Sequence, residues 1–234
     1  MIVDKRLTTF INSMNWQLPN ELKELEKKAL ADEVPIIRKS MQSLLIFLMR
    51  MKQPERILEI GTAVGFSGLL MLMNTVEGAR LDTIEKVPVR WKEAEKNFRQ
   101  FGREGQIHLY KEDATDVLQR FSQEKNKYDF IFMDAAKGQY PGFLPPILAM
   151  LSENGMLVTD NVLQDGDILE SRFAITKRDR TIHKRMREFL YTLTHTEGLN
   201  TVILPVGDGV SLTTLYEGSV MGELRENEGG GVTC

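Results

Sequence analysis

The sequence predicts a doubly wound α/β fold built on a mostly parallel sheet of seven strands. Two observations carry this. Short apolar runs alternate with stretches of helical length and polarity, and the rhythm ends in two runs separated by a Gly-Asp-Gly turn. With 234 residues, 42% of them hydrophobic, the chain is sized for one large domain with a substantial core.

The elements follow in order. From about Asn20 to Arg50 the spacing is helical: Leu22, Leu25 and Leu30 recur on one face, Pro35 breaks the run, and Met41, Leu44, Leu45 and Leu48 line a second helix. These N-terminal helices precede the sheet. Strands are expected at Arg56–Ile60, Leu81–Glu85, Ile107–Tyr110, Tyr128–Met133 and Gly155–Asp160, with helices between them, as a parallel sheet requires. A charged helix around Arg180–Tyr191 then leads to a hairpin, Thr201–Leu204 and Val210–Tyr216, at one sheet edge. A single domain over residues 1–220 is expected, followed by an unstructured tail over residues 221–234 that contains three successive glycines.

Composition excludes several classes. The formal charge of -3 argues against coating nucleic acid through bulk charge, and no DNA partner is expected. One cysteine, Cys234, leaves no internal disulfide and fits a reducing cytoplasm. The apolar runs fall far short of the ~20 residues of a membrane helix. A cytoplasmic protein without a membrane partner is the expectation.

The first strand runs into Gly61-Thr62-Ala63-Val64-Gly65-Phe66-Ser67-Gly68, with glycines where the chain turns from strand to helix and where backbone can approach a ligand. Glu85, 24 residues after Gly61, stands where an acid accepts hydrogen bonds from ribose hydroxyls. Asp113 follows the third strand, in reach of an adenine. The G-x-G-x-x-G turn of a nicotinamide enzyme is absent, as is the Gly-Lys-Ser/Thr of a phosphate-binding loop. A cofactor with a ribose and no pyrophosphate fits better. Asp134 ends the fourth strand, and Asp160 and Asn161 end the fifth, at the carboxyl edge where such sheets bind ligands. Three oxygen donors without histidine or cysteine suit a hard cation such as Mg²⁺. Each residue alone would more often cap a turn, so the assignment rests on their coincidence.

The succession EIGTAVGFS, TIE, EDA, FMDAAKGQY, VTDN and GDGVSL, from about Ile36 to Leu215, resembles the class I methyltransferases of the divalent-metal-dependent, catechol O-methyltransferase-like group. Within that group PIIRKS, DAAKGQY and the basic stretch resemble the bacterial tRNA 5-hydroxyuridine methyltransferases. The resemblance implies a Rossmann-like methyltransferase fold, S-adenosylmethionine as methyl donor, Mg²⁺ or Mn²⁺, and a homodimer. By position it puts Glu59, Gly61 and Ser67 at the methionine part of the cofactor, Met41 in the helix covering it, Glu85 at the ribose, and Asp113 with Ala114 at the adenine. It makes Asp134, Asp160 and Asn161 the metal ligands and Lys137 the general base. Asp134 would also border the cofactor. Ala135 and Ala136 replace a bulkier pair of the catechol enzymes, which speaks against a catechol-shaped pocket.

Between Lys177 and Arg187 six basic residues face one acid, Asp179. Lys177, Arg178, Arg180, Lys184 and Arg185, with Arg38 and Lys39 and His183 beside them, would give an acidic protein one basic face for the phosphates of a tRNA anticodon stem-loop. A charge run is also the ordinary mark of a solvated helix. Three readings therefore stand: a tRNA 5-hydroxyuridine O-methyltransferase forming 5-methoxyuridine at the wobble position, a small-molecule O-methyltransferase for catechol-like or phenylpropanoid hydroxyls, and a regulatory protein that binds the cofactor without catalysis. Trp16, Trp91 and the methionines of the helices are expected to be packing residues.

Overall fold

The computed structural model describes residues 3–171 and 173–216. The chain forms α1 (Lys5–Ser13), α2 (Asn20–Ala31), α3 (Lys39–Lys52), β1 (Arg56–Ile60), α4 (Phe66–Leu72), β2 (Arg80–Ile84), α5 (Pro88–Gln100), β3 (Ile107–Tyr110), α6 (Ala114–Gln123), β4 (Tyr128–Met133), α7 (Tyr140–Met150), β5 (Leu151–Asp160), α8 (Arg180–His195), β6 (Leu199–Leu204) and β7 (Val210–Leu215). Short 3-10 turns at Lys137–Gln139 and Gln164–Leu169 precede α7 and α8.

The strands form one sheet in the order β3-β2-β1-β4-β5-β7-β6. β1 to β5 are parallel, and the β6–β7 hairpin adds antiparallel to β5 through β7. Because β1 pairs with β2 on one side and β4 on the other, the winding reverses between β1 and β4, and a crevice opens at their carboxyl ends.

Helices cover both faces, so the central strands β1 and β4 are largely apolar on both sides, as the buried part of a parallel sheet must be. Successive side chains point oppositely. Ile57, Phe130 and Phe132 pack with Leu22, Leu45, Leu69 and Phe98 from α2 to α5. Leu58, Ile60, Ile131 and Met133 pack with Leu118, Phe121, Ile147 and Phe189 from α6 to α8. Each such side chain contributes about 1.5–3 kcal/mol of hydrophobic stabilisation. Among the described residues no helix is long and apolar enough to cross a membrane.

Several expectations are corrected. An additional helix, α1, precedes the expected pair; Asp4 caps it by accepting from the Arg6 and Leu7 N–H groups, yet none of its residues is buried. Trp16 is not a core residue but 68% exposed, with the Arg50 guanidinium over its ring. His183 is 4% exposed on the inner side of α8, so it does not belong to the basic face. The expected tail over residues 221–234 lies outside the described residues.

Candidate active site

The crevice holds a cavity of about 390 Å³, lined among others by Gly61, Ser67, Glu85, Asp113, Ala114 and Asp134. These are six of the positions read from the sequence. Gly61 sits at φ +108°, and a Cβ there would stand 2.0 Å from the Asp134 carbonyl oxygen, so only glycine lets the two strand ends meet. The Asp134 N–H donates to the Ile60 carbonyl across the same joint at 3.0 Å.

Glu85 lies one residue beyond β2 and is fixed by two backbone donors. The Ala63 N–H reaches Oε2 at 3.0 Å and the Val87 N–H reaches Oε1 at 2.9 Å. Each carboxylate oxygen keeps a further lone pair, enough for a pair of hydroxyls from a ribose. Asp113 caps α6 by accepting from the Thr115 N–H at 2.9 Å and pairs with Lys86 at 2.9 Å. That N–H and Lys86 hold its carboxyl down, to about 2. Its side chain is therefore committed to the turn that shapes the cavity.

Glu59 is not on the cavity wall. It is fully buried beneath it and accepts from Ser67 Oγ at 2.5 Å and Thr83 Oγ1 at 2.6 Å. Burial pushes its carboxyl up to about 7, against the lowering effect of both hydroxyls. Met41 is likewise buried in the core between α3 and the sheet rather than on the wall. A carboxyl raised by folding contributes stability that is complete below its ordinary value of 4.5 and is lost as pH rises through about 7. The gain in Tm of Glu59→Gln over the unsubstituted protein is therefore expected to widen from about pH 5 to about pH 8. A pH-independent difference would mean that Glu59 is ionised throughout.

The second half of the site is acidic. Asp134 is pushed up to about 6, chiefly by burial, with Asp208 raising it and Lys137 opposing. Asp160 is pushed up to about 7 by burial and then by Asp134, against the Asn161 N–H, which donates to its Oδ1 at 2.7 Å. The carboxylates of Asp134 and Asp160 thus share a field, and Lys137, in the turn after β4, acts on both. Asn161 adopts φ +61°, a left-handed conformation that asparagine tolerates. Among the described residues no three of His, Cys, Asp or Glu are grouped to hold a metal ion. Two carboxylates and an amide oxygen are another matter: a partial hard-oxygen set of the kind Mg²⁺ completes with water. Repulsion between two desolvated acids is what a divalent cation would relieve, so the donor chemistry fits.

The basic positions divide. Arg38 makes a fork on Asp165 at 3.2 and 3.1 Å and also pairs with Asp208, so it is engaged within the chain. Lys39, Lys177 and Arg178 are exposed. Arg180, Lys184 and Arg185 line a shallow cavity of about 340 Å³ on α8. Arg185 Nη1 donates to the Gly138 carbonyl at 2.8 Å, one residue from Lys137.

Residues 12–215 match the family model described as O-methyltransferase. The chain belongs to the O-methyltransferase family. Among relatives of this O-methyltransferase, a catechol O-methyltransferase of Niastella koreensis is 32% identical over 124 residues, 53% of this chain and 56% of that protein, so the match spans little more than half the relative's length. The O-methyltransferase ankF of Aspergillus thermomutatus is 27% identical, over 71% of this chain and 73% of its own. The SAH-bound methyltransferase PaMTH1 of Podospora anserina superposes with a TM-score of 0.80 at 25% identity, covering 91% of this chain and 94% of its own. TomG of Streptomyces achromogenes, solved with SAM, shares the fold at a TM-score of 0.78 and 21% identity, covering 91% of this chain and 96% of its own. One residue of the acidic half, Asp208, was read from the sequence only as the centre of a turn. The signal available was its charge between two glycines, which a turn alone accounts for.

Proposed function

We propose that this O-methyltransferase uses S-adenosylmethionine and a divalent cation, Mg²⁺ or Mn²⁺, to methylate the 5-hydroxyl of 5-hydroxyuridine at the tRNA wobble position. The observation that carries the RNA reading is the hydrogen bond from Arg185 to Gly138, which ties the basic face of α8 to the turn bearing Lys137. A substrate whose phosphates lie on Arg180, Lys184 and Arg185 has its reacting nucleotide near that turn.

In this reading the Gly61 turn and Glu85 hold the donor, Ser67 steadies the cradle through Glu59, and Asp134, Asp160 and Asn161 hold the cation. The cation supplies Lewis-acid stabilisation of a developing oxyanion. Lys137, in its neutral amine form, takes the proton of the accepting hydroxyl at its Nζ and becomes the ammonium, and the walls fix the oxygen in line with the methyl group, where positioning supplies much of the rate. The small Ala135 and Ala136 line the cavity and leave room for a nucleotide rather than gripping a catechol.

The name of the Niastella koreensis relative favours the small-molecule reading, so the two are tested together. Labelled donor is offered with hydroxyuridine-containing tRNA and, separately, with a catechol, each with Mg²⁺ and with a chelator. Chelator-sensitive labelling of tRNA alone is expected; labelling of catechol alone overturns the RNA reading, and donor binding without either product points to a regulatory protein. Replacing Arg180, Lys184 and Arg185 together by alanine is expected to weaken tRNA methylation and lower the salt dependence of binding by about 2 in log–log slope, at roughly 0.7 per phosphate contact. Donor binding should stay intact. Unaltered salt dependence would remove α8 from the RNA interface.

A further inference from the structure

Asp208 stands at the centre of the β6–β7 turn, between Gly207 and Gly209, and its side chain is 12% exposed. Its neighbours come from two other parts of the chain, the loop after β5 and the residue before α3. The Asn161 amide donates from Nδ2 to Asp208 Oδ2 at 3.4 Å. Arg38, just before α3, pairs with Oδ1 and also with Asp165 from the turn after β5. The backbone is joined to the same loop: the Leu163 N–H donates to the Asp208 carbonyl and the Val162 N–H to the Gly209 carbonyl, each at 2.9 Å. A Cβ on Gly209, at φ +88°, would stand 2.3 Å from the Leu163 side chain, so the closeness of turn and loop depends on that glycine.

We propose that Asp208 is a positioning residue for Asn161: its carboxylate holds the amide Nδ2 and so aims the amide oxygen at the cation site shared with Asp134 and Asp160. An amide has one acceptor and one donor group, and fixing the donor fixes the acceptor. Asp208 is near enough to Asp134 and Asp160 to influence both electrostatically, yet the three carboxylates are not grouped as a ligand set. A carboxylate one shell out that orients a ligating group is the recurrent arrangement around protein-bound metals, and its removal lowers metal affinity roughly 10–100-fold. Arg38 forms an ion pair with the other carboxylate oxygen, and Asp165 stands beside the same carboxylate.

The inference rests on the metal reading given above, and the test separates the two. Mn²⁺ affinity is titrated for the whole chain and for Asp208→Ala, Asp208→Asn and Asn161→Ala, with SAH affinity as the measure of an intact fold. The Asn variant keeps an acceptor for the Asn161 amide and loses the charge. The expected result is about a 10–100-fold loss for Ala and recovery to within about threefold for Asn, with SAH affinity unchanged. In the Asn161→Ala background, adding Asp208→Ala should then have no further effect. Equal losses for Ala and Asn would make Asp208 a charge or a ligand and overturn the positioning role, as would full Mn²⁺ affinity in both. If the original protein itself takes up no Mn²⁺ while binding SAH, the metal reading fails and takes this inference with it. Should Asp208→Ala not fold, Asp208→Ser replaces it, since serine is too short to reach Asn161.

Discussion

Replacing Asp160 with alanine is expected to lower kcat for methyl transfer by about 10³-fold, because a cation that stabilises the transition state by several kcal/mol acts at about 1.4 kcal/mol per factor of ten. Asp160 is 4% exposed and not on the wall of the donor cavity, so SAH affinity should be unchanged while Mn²⁺ affinity collapses. This separation distinguishes it from Asp134, which lines the cavity and whose loss would disturb both. Kinetics and the two titrations on one variant decide the matter. Activity that survives Asp160→Ala and is indifferent to chelator would mean that transfer proceeds without a cation.

Replacing Lys137 with methionine is expected to lower kcat by about 10²–10⁴-fold, the range for loss of a positioned base. Here the direction of a second quantity matters as much. The ammonium of Lys137 opposes the raised carboxyls of Asp134 and Asp160, so it also competes with a cation for their field. Its removal should leave Mn²⁺ affinity equal or tighter while chemistry slows. A loss of activity that tracks a loss of Mn²⁺ affinity would instead make Lys137 a structural support of the acidic cluster.

Much of this was legible in the sequence for identifiable reasons. The central strands β1 and β4 are buried on both faces, so each is a short apolar run with a sharp polar boundary; these and the edge strand β3 fall where expected, and β2 is displaced by one residue. The Gly61 turn, Glu85, Asp134 and Asp160 were visible because each is a polar or glycine residue at the end of such a run. Beyond the strands the signal is uneven. α1 carries Leu7, Phe10 and Ile11 at helical spacing behind the Asp4 cap, so its signal is present in the sequence, although none of these residues is buried. The orientation of α8 decides that His183 turns inward while Lys184 and Arg185 face out, a rotation of one residue that charge counting does not resolve. Arg38 likewise looks like a free cation in one dimension, and only the approach of the turns carrying Asp165 and Asp208 commits it. Long-range partners are the information a local reading lacks.

The contact between Gly61 and the Asp134 carbonyl has a bearing on how such an enzyme can be redesigned. The turn after β1 and the end of β4 meet main chain to main chain at this point, with no side chain between them to act as a spacer. In the proposed reaction, the spacing between the two halves then follows the frame of the sheet at β1 and β4. For the proposed reaction, new acceptors can be sought by changing the outer face of α8, which leaves Asp165 and its pairing with Arg38 in place. A single added methyl at Gly61 would uncouple the two halves at once.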